Sequence, residues 1–165
     1  AVVAPTFNFV LSGNTDSFTA NLSTGAVGIT TGVNATVNTN AKNGWLAWAK
    51  GANNGLTSAA AVKTIAATTP GTSATLTPGT EGYTMGVTAI TQGTGAGTTT
   101  PSAAYDATGA AHGSGLDTNY RQIASSTGSA AGAMLTLRER AVISSLTPAA
   151  NDYTDTITVI GAGNF

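Results

Sequence analysis

Tyr153-Thr-Asp-Thr-Ile-Thr-Val-Ile160 alternates between two kinds of side chain. When successive residues point to opposite sides, Tyr153, Ile157 and Val159 share one face, and Thr154, Thr156 and Thr158 share the other. A strand with one apolar face and one hydroxyl-bearing face belongs in an antiparallel sheet that is buried on one side only. Asp155 falls in the inward row, so it needs a hydrogen-bond partner or a place at the rim.

Working outward from this stretch, the same kind of signal recurs at short spacing, each time closed by Gly, Asn or Pro. The pattern predicts strands over Thr6–Leu11, Ser17–Leu22, Ala26–Thr30, Asn34–Thr39, Gly44–Lys50, Ala74–Thr77, Tyr83–Thr91 and Met134–Ile143. Turns are written explicitly between them, for example Ser12-Gly13-Asn14 and Thr77-Pro78-Gly79-Thr80. Many short antiparallel strands with this punctuation predict an all-β fold, an antiparallel β-sandwich of jelly-roll or immunoglobulin-like kind. Ala59–Ala67 is the one stretch that reads as a short helix, against the preference of its β-branched residues. The segment from Gln92 to Asn119 reads as a long Gly-rich loop that burial of Tyr105 and Leu116 would pin down.

The beginning of the chain has a second one-sided pattern. In Ala1-Val-Val-Ala-Pro-Thr-Phe-Asn-Phe-Val-Leu11, the side chains of Val3, Phe7, Phe9 and Leu11 fall on one face, with Pro5 in the same row. Proline cannot donate to a ladder, so the segment reads as an edge strand, a bulge or an arm that leaves its own domain. The expected organisation is therefore an N-terminal strand over residues 1–11, able to act as a donor arm, and one sandwich domain over 12–165 with its long loop at 92–119.

Composition narrows the function. Only 8% of the 165 residues are charged, the net charge is −1 and cysteine is absent. No basic stripe exists to hold nucleic acid, and no polybasic cluster to hold an anionic membrane surface. Disulfides, zinc–thiolate sites and cysteine nucleophiles are excluded. No apolar run is long enough to span a bilayer. The sequence opens on small residues without Met, as after signal-peptide cleavage, so secretion is expected, to the cell surface or an extracellular filament. Low net charge also removes a usual barrier to self-association.

The chemistry-bearing residues are few. His112 is the one histidine, near Asp106 and Asp117 in a Gly-rich segment. Zinc needs three or four well-spaced ligands, so Asp106 and Asp117 stand only as weak candidates for calcium, and no metal or cofactor is expected. No Gly-x-Ser-x-Gly elbow surrounds a serine, although Ser114 has glycines on both sides. Glu139 lies in the inward phase between Leu137 and Ala141, where a salt bridge or a bulge is the expected role. Gly93-Thr-Gly-Ala-Gly97 has no Lys after it and no helix to open, so it is not a phosphate loop. Trp45 and Trp48 stand three apart in a strand and point to opposite faces, one into the core and the other into packing or a sugar platform. Asn21 and Asn34 head two glycosylation sequons. No catalytic residue is expected, and the chain does not read as an enzyme.

The run Thr147-Pro-Ala-Ala-Asn-Asp-Tyr-Thr-Asp-Thr-Ile-Thr-Val-Ile160 resembles the closing strand of secreted microbial surface and pilus proteins, the spore-coat-U-like and archaic chaperone–usher pilins. Here Ala150-Asn151-Asp152 stands in place of their glycine turn, and their cysteines are missing. Asn40-Ala-Lys-Asn-Gly-Trp45 is similar to segments of other secreted β-sandwich surface proteins. Matrix fibre proteins of the TasA/camelysin kind and archaeal bundling pilins share the plan of a cysteine-free sandwich with a donatable N-terminal strand. The resemblance implies a subunit that polymerises head to tail with itself, placing Val3, Phe7, Phe9 and Leu11 in a groove of the next copy. The competing expectation is a monomeric surface module that binds carbohydrate through Trp45 or Trp48 and the long loop.

Overall fold

A computed structural model describes all 165 residues. In chain order its strands are β1 (Phe7–Leu11), β2 (Gly28–Ile29), β3 (Val33–Thr39), β4 (Trp45–Gly51), β5 (Gly55–Ser58), β6 (Lys63–Ala66) and β7 (Ala74–Thr75). They are followed by β8 (Gly82–Thr91), β9 (Thr99–Pro101), β10 (His112–Gly113), β11 (Arg121–Ser126), β12 (Ala130–Val142) and β13 (Ile157–Gly163). The one helical element is a turn of 3-10 helix at Ala103–Tyr105.

Two antiparallel sheets face each other. In the first, β12 is the spine: β3 and then β2 pair along one of its edges and β8 along the other, with β1 outside β3. In the second, β4 is central, with β13 on one side and β11, then β9, on the other. The core lies between the sheets: Ala35, Val37, Leu135 and Leu137 meet Trp45, Ala47, Ala49 and Ile123 there, with Met85 and Val87 of β8. Alanines at the inward positions of β4 let the sheets approach closely around the bulk of Trp45, which is fully buried. Gly44 places that tryptophan. Its φ is +88°, and a Cβ there would lie 1.7 Å from the Ser126 carbonyl oxygen, so only glycine makes this turn.

The alternation predicted at Tyr153–Ile160 is present. Tyr153, Asp155, Ile157 and Val159 are half-buried, and Thr154, Thr156, Thr158 and Ile160 are exposed. The regular ladder begins only at Ile157 and runs on to Gly163. Ser17–Leu22 forms no strand, contributing a single bridge from Phe18 to Thr30. Ala59–Ala67 is not a helix. Its first residues make the turn between β5 and β6, with Val62 at φ 49° and largely exposed, and β6 follows. The β-branched residues that weighed against a helix took the strand.

The Gln92–Asn119 segment wraps the outer edge of β8. Val87 bridges Asp106, and Met85 bridges Ser114. Tyr105 and Leu116 are buried beneath it, and the Tyr105 hydroxyl donates to the Gly115 carbonyl at 3.0 Å. That edge of the first sheet is therefore covered, whereas β1 and β13 end their sheets without a further strand.

Candidate functional site

The N-terminal segment makes one pole of the molecule. β1 pairs with β3 in register from Phe7 opposite Thr39 to Leu11 opposite Ala35. Phe7 and Phe9 point inward and are half-buried, packed against the main core across the gap to β13. They rest on glycines: a Cβ on Gly161 would lie 2.6 Å from the Phe9 ring, and one on Gly163 would lie 3.1 Å from the Phe7 ring. A glycine pair in this strand thus makes a notch for two phenylalanines, a close approach of the kind that glycine in a strand marks. Before Phe7 the chain is exposed. The Asn40 side chain accepts from the Thr6 N–H at 2.8 Å and donates to the Ala4 carbonyl at 2.8 Å. Val2 and Val3 beyond this clamp are 98% and 80% exposed. Leu11, the last of the sequence-predicted donor residues, sits at the other end of β1 and is at the margin of exposure. The row of Val3, Phe7, Phe9 and Leu11 is therefore divided between a free arm, two half-buried anchors and a rim.

At the opposite pole the two sheets part. The gap is a cleft of about 740 Å³ walled by Leu11, Val33 and Leu137 from the first sheet and by Ile157 and Val159 from the second. Leu56, Phe18 and Tyr153 extend its apolar lining. Its charged side chains are Asp16, Glu139, Asp152 and Asp155, and neither a lysine nor an arginine lines it. Asp16 belongs to the connection after β1 and Glu139 to the C-terminal part of β12, and Thr30 and Thr31 bring them together. Thr31 donates to Asp16 at 2.6 Å, the Gly32 N–H donates to it at 2.9 Å, and Thr30 donates to Glu139 at 3.1 Å. Burial pushes the Glu139 carboxyl up to about 7, and the neighbouring Asp16 carboxylate pushes the same way. Burial also acts to raise Asp16, but the hydrogen bonds from Thr31, Thr30 and Gly32 outweigh it and hold that carboxyl below its ordinary value. Glu139 therefore gives up its proton only around neutral pH, whereas Asp16 is ionised there. Glu139 makes neither the salt bridge nor the bulge expected of it. The ion pairs are Lys63–Glu81 and Asp117–Arg121, and the irregularities of β12 lie earlier in the strand.

One polar atom in this cleft is buried without a partner. Asp155 accepts at Oδ1 from the Asn53 and Thr156 N–H groups, but its Oδ2 is buried without any donor. Burial raises this carboxyl as well. Tyr83 is 1% exposed and lines the cleft. Burial raises its pKa well above the ordinary value, with Glu139, Asp155 and Asp16 adding to the effect.

The other predicted residues lie apart. Trp45 is enclosed, with its indole N–H unpartnered, whereas Trp48 is half-buried on the outer face of β4 between Gln122 and Ile160. Nearby, the Lys50 ammonium stands 4.8 Å from the centre of the Tyr120 ring. His112 shares a hydrogen bond with Thr75 at 2.8 Å through Nδ1. Asp106 accepts from the Thr108 N–H at 3.0 Å and its hydroxyl at 2.7 Å, and Asp117 pairs with Arg121, which holds it well below the usual range. The two aspartates are thus each engaged within their own turns, and no three His, Asp or Glu side chains lie close enough to hold a metal ion. Asn21 is exposed, while the Asn34 side chain accepts from Thr136 within the sheet.

Fold and site together define a cysteine-free antiparallel sandwich with an apolar edge strand at one pole and an acid-lined cleft at the other. No protein-family model, curated protein or solved structure matches this chain.

Proposed function

We propose that this protein is a structural subunit of an extracellular filament or matrix fibre, a homopolymer in which the exposed N-terminal arm that precedes β1 in each copy engages the next. One observation carries this reading: an apolar strand at an open sheet edge continues into an arm whose Val2 and Val3 are almost fully exposed. Exposed valines at the end of an unpaired edge favour strand addition, in which main-chain hydrogen bonds give continuity and alternate side chains fill pockets. Each bulky apolar side chain buried in such a joint contributes on the order of 1.5–3 kcal/mol. A contact between two different surfaces of the same molecule leaves one surface of each kind free at the ends, so unless its rotation closes a ring it propagates as a fibre. The Thr- and Ser-rich exterior suits lateral packing in a matrix, and secretion to the cell surface belongs to the same reading.

Sedimentation velocity over a concentration series tests it. The intact chain is expected to form polymers that grow with concentration. A chain carrying Val2→Asp and Val3→Asp, both at exposed positions outside the core, is expected to remain monomeric with unchanged stability. Polymers of equal size from both chains would rule out the N-terminal segment as the joint.

A second reading, a cell-surface module that binds carbohydrate, has one observation in its favour: Trp48 lies on the outer face of β4 beside Lys50 and Tyr120. Retention on immobilised glycans that is lost in Trp48→Ala is the outcome it requires.

A further inference from the structure

The exposed arm and the acid-lined cleft lie at opposite ends of the same sandwich. We infer that residues Ala1–Val3 of one copy dock into the cleft of the next, between Leu11 and Val33 on one wall and Ile157 and Val159 on the other. This rests on the filament reading and specifies its receiving surface, leaving Phe7 and Phe9 on their own glycine notch.

Reach excludes the chain's own cleft. The nearest cleft residue, Leu11, is seven residues along the chain from the clamped Ala4, about 23 Å at the rise of a strand, and β1 lies between them. Asn40 clamps Ala4 and Thr6, so the free residues Ala1–Val3 extend about 10 Å. Only another copy stacked end to end brings an arm to the cleft.

The cleft has what an extended peptide needs. Its flanking strands β1 and β13 both end their sheets, so an incoming strand finds unpaired backbone on either side. Its walls are aliphatic, matching Val2 and Val3. Its one buried unpartnered group, Oδ2 of Asp155, needs a donor, and a peptide backbone N–H supplies one. Charge agrees as well. Lys42 stands exposed beside Val3 and Pro5 with no ion-pair partner, and the cleft rim presents Asp152 with no basic residue. Stacking the poles brings that ammonium to that carboxylate.

The chain has no cysteine, so an introduced pair reports one contact. Val3→Cys is combined with Asn14→Cys, an exposed position on the cleft lining, and as a control with Ala110→Cys, an exposed position remote from it. Both proteins are oxidised under conditions where the intact chain polymerises, then run on a non-reducing gel, with electron microscopy of the same samples. A ladder of covalent multimers from the Val3/Asn14 protein, absent from the Val3/Ala110 protein, is the expected result. Filaments without that ladder, or equal ladders from both proteins, would overturn the cleft as the receiving surface and leave the filament reading standing. Monomers only, with no ladder from either, would overturn both.

Discussion

Glu139 is the residue whose environment is furthest from its sequence expectation. It belongs to an apolar row, but it meets Asp16 and Thr30 rather than an arginine. Its folded pKa of about 7 exceeds the model-peptide value of 4.5, so the folded state binds this proton more tightly than the unfolded state does. Stability from this group is therefore complete below about pH 4.5, falls as pH rises toward 7, and is level above that. Asp16 acts in the opposite sense at lower pH, because its depressed pKa makes stability fall on acidification. At roughly 1.4 kcal/mol per pH unit, the Glu139 effect amounts to roughly 3 kcal/mol. Urea midpoints at pH 5 and pH 8 should show the natural chain losing stability with rising pH and Glu139→Gln losing much less; equal losses would contradict the assignment. The two tryptophans differ in the same physical way. Trp45→Ala should cost about 3–5 kcal/mol by opening a core cavity, whereas Trp48→Ala, on a half-buried outer position, should cost under about 2 kcal/mol by thermal or urea unfolding. Opposite faces for the two rings were legible from their spacing. The Asp16–Glu139 pair was not, because nothing in the local sequence around either residue points to a partner so far along the chain.

The strands that could be read from the sequence were those whose side chains alternate. Tyr153–Ile160 and Asn34–Thr39 follow the period of two because one face meets the core and the other meets water. β11 was missed: Arg121-Gln-Ile-Ala-Ser-Ser126 has one strongly β-favouring side chain, and the strand exists because β4 and β9 pair with it on both sides. Tertiary pairing overrides propensity there. The notch on β13 had a signal that reads two ways. Gly161 and Gly163 look like the end of a strand, yet the ladder continues through both, and the missing side chains are what admit Phe7 and Phe9. Gly161→Val should therefore lift Phe9, cost about 1–3 kcal/mol, and speed amide exchange in β1 before any other strand. A change of that size with β1 exchange unaltered would mean that the glycines do not hold the strand.

At the scale of the whole molecule, the sandwich was legible in the repeated short strands, and its polarity was not. That polarity arises because the loop over β8 closes one side while β1 and β13 leave the other side open. Along the open side the phenylalanines close one end on glycine, and the other end stays parted around buried carboxylates. An apolar arm at one end and a cleft at the other are the two surfaces that the proposed head-to-tail addition requires. If Lys42 meets Asp152 in that joint, Lys42→Glu should weaken polymerisation, and added salt should weaken polymerisation of the natural chain, since Lys42 is exposed and Asp152 is only half-buried. The most direct test removes residues 1–6, which lie outside every strand, so that β1 and the core remain. Electron microscopy of equal concentrations should show filaments from the intact chain and none from the shortened one, with thermal unfolding of the two monomers unchanged. Filaments of equal abundance from the shortened chain, or an intact chain that stays monomeric at high concentration, would contradict the account.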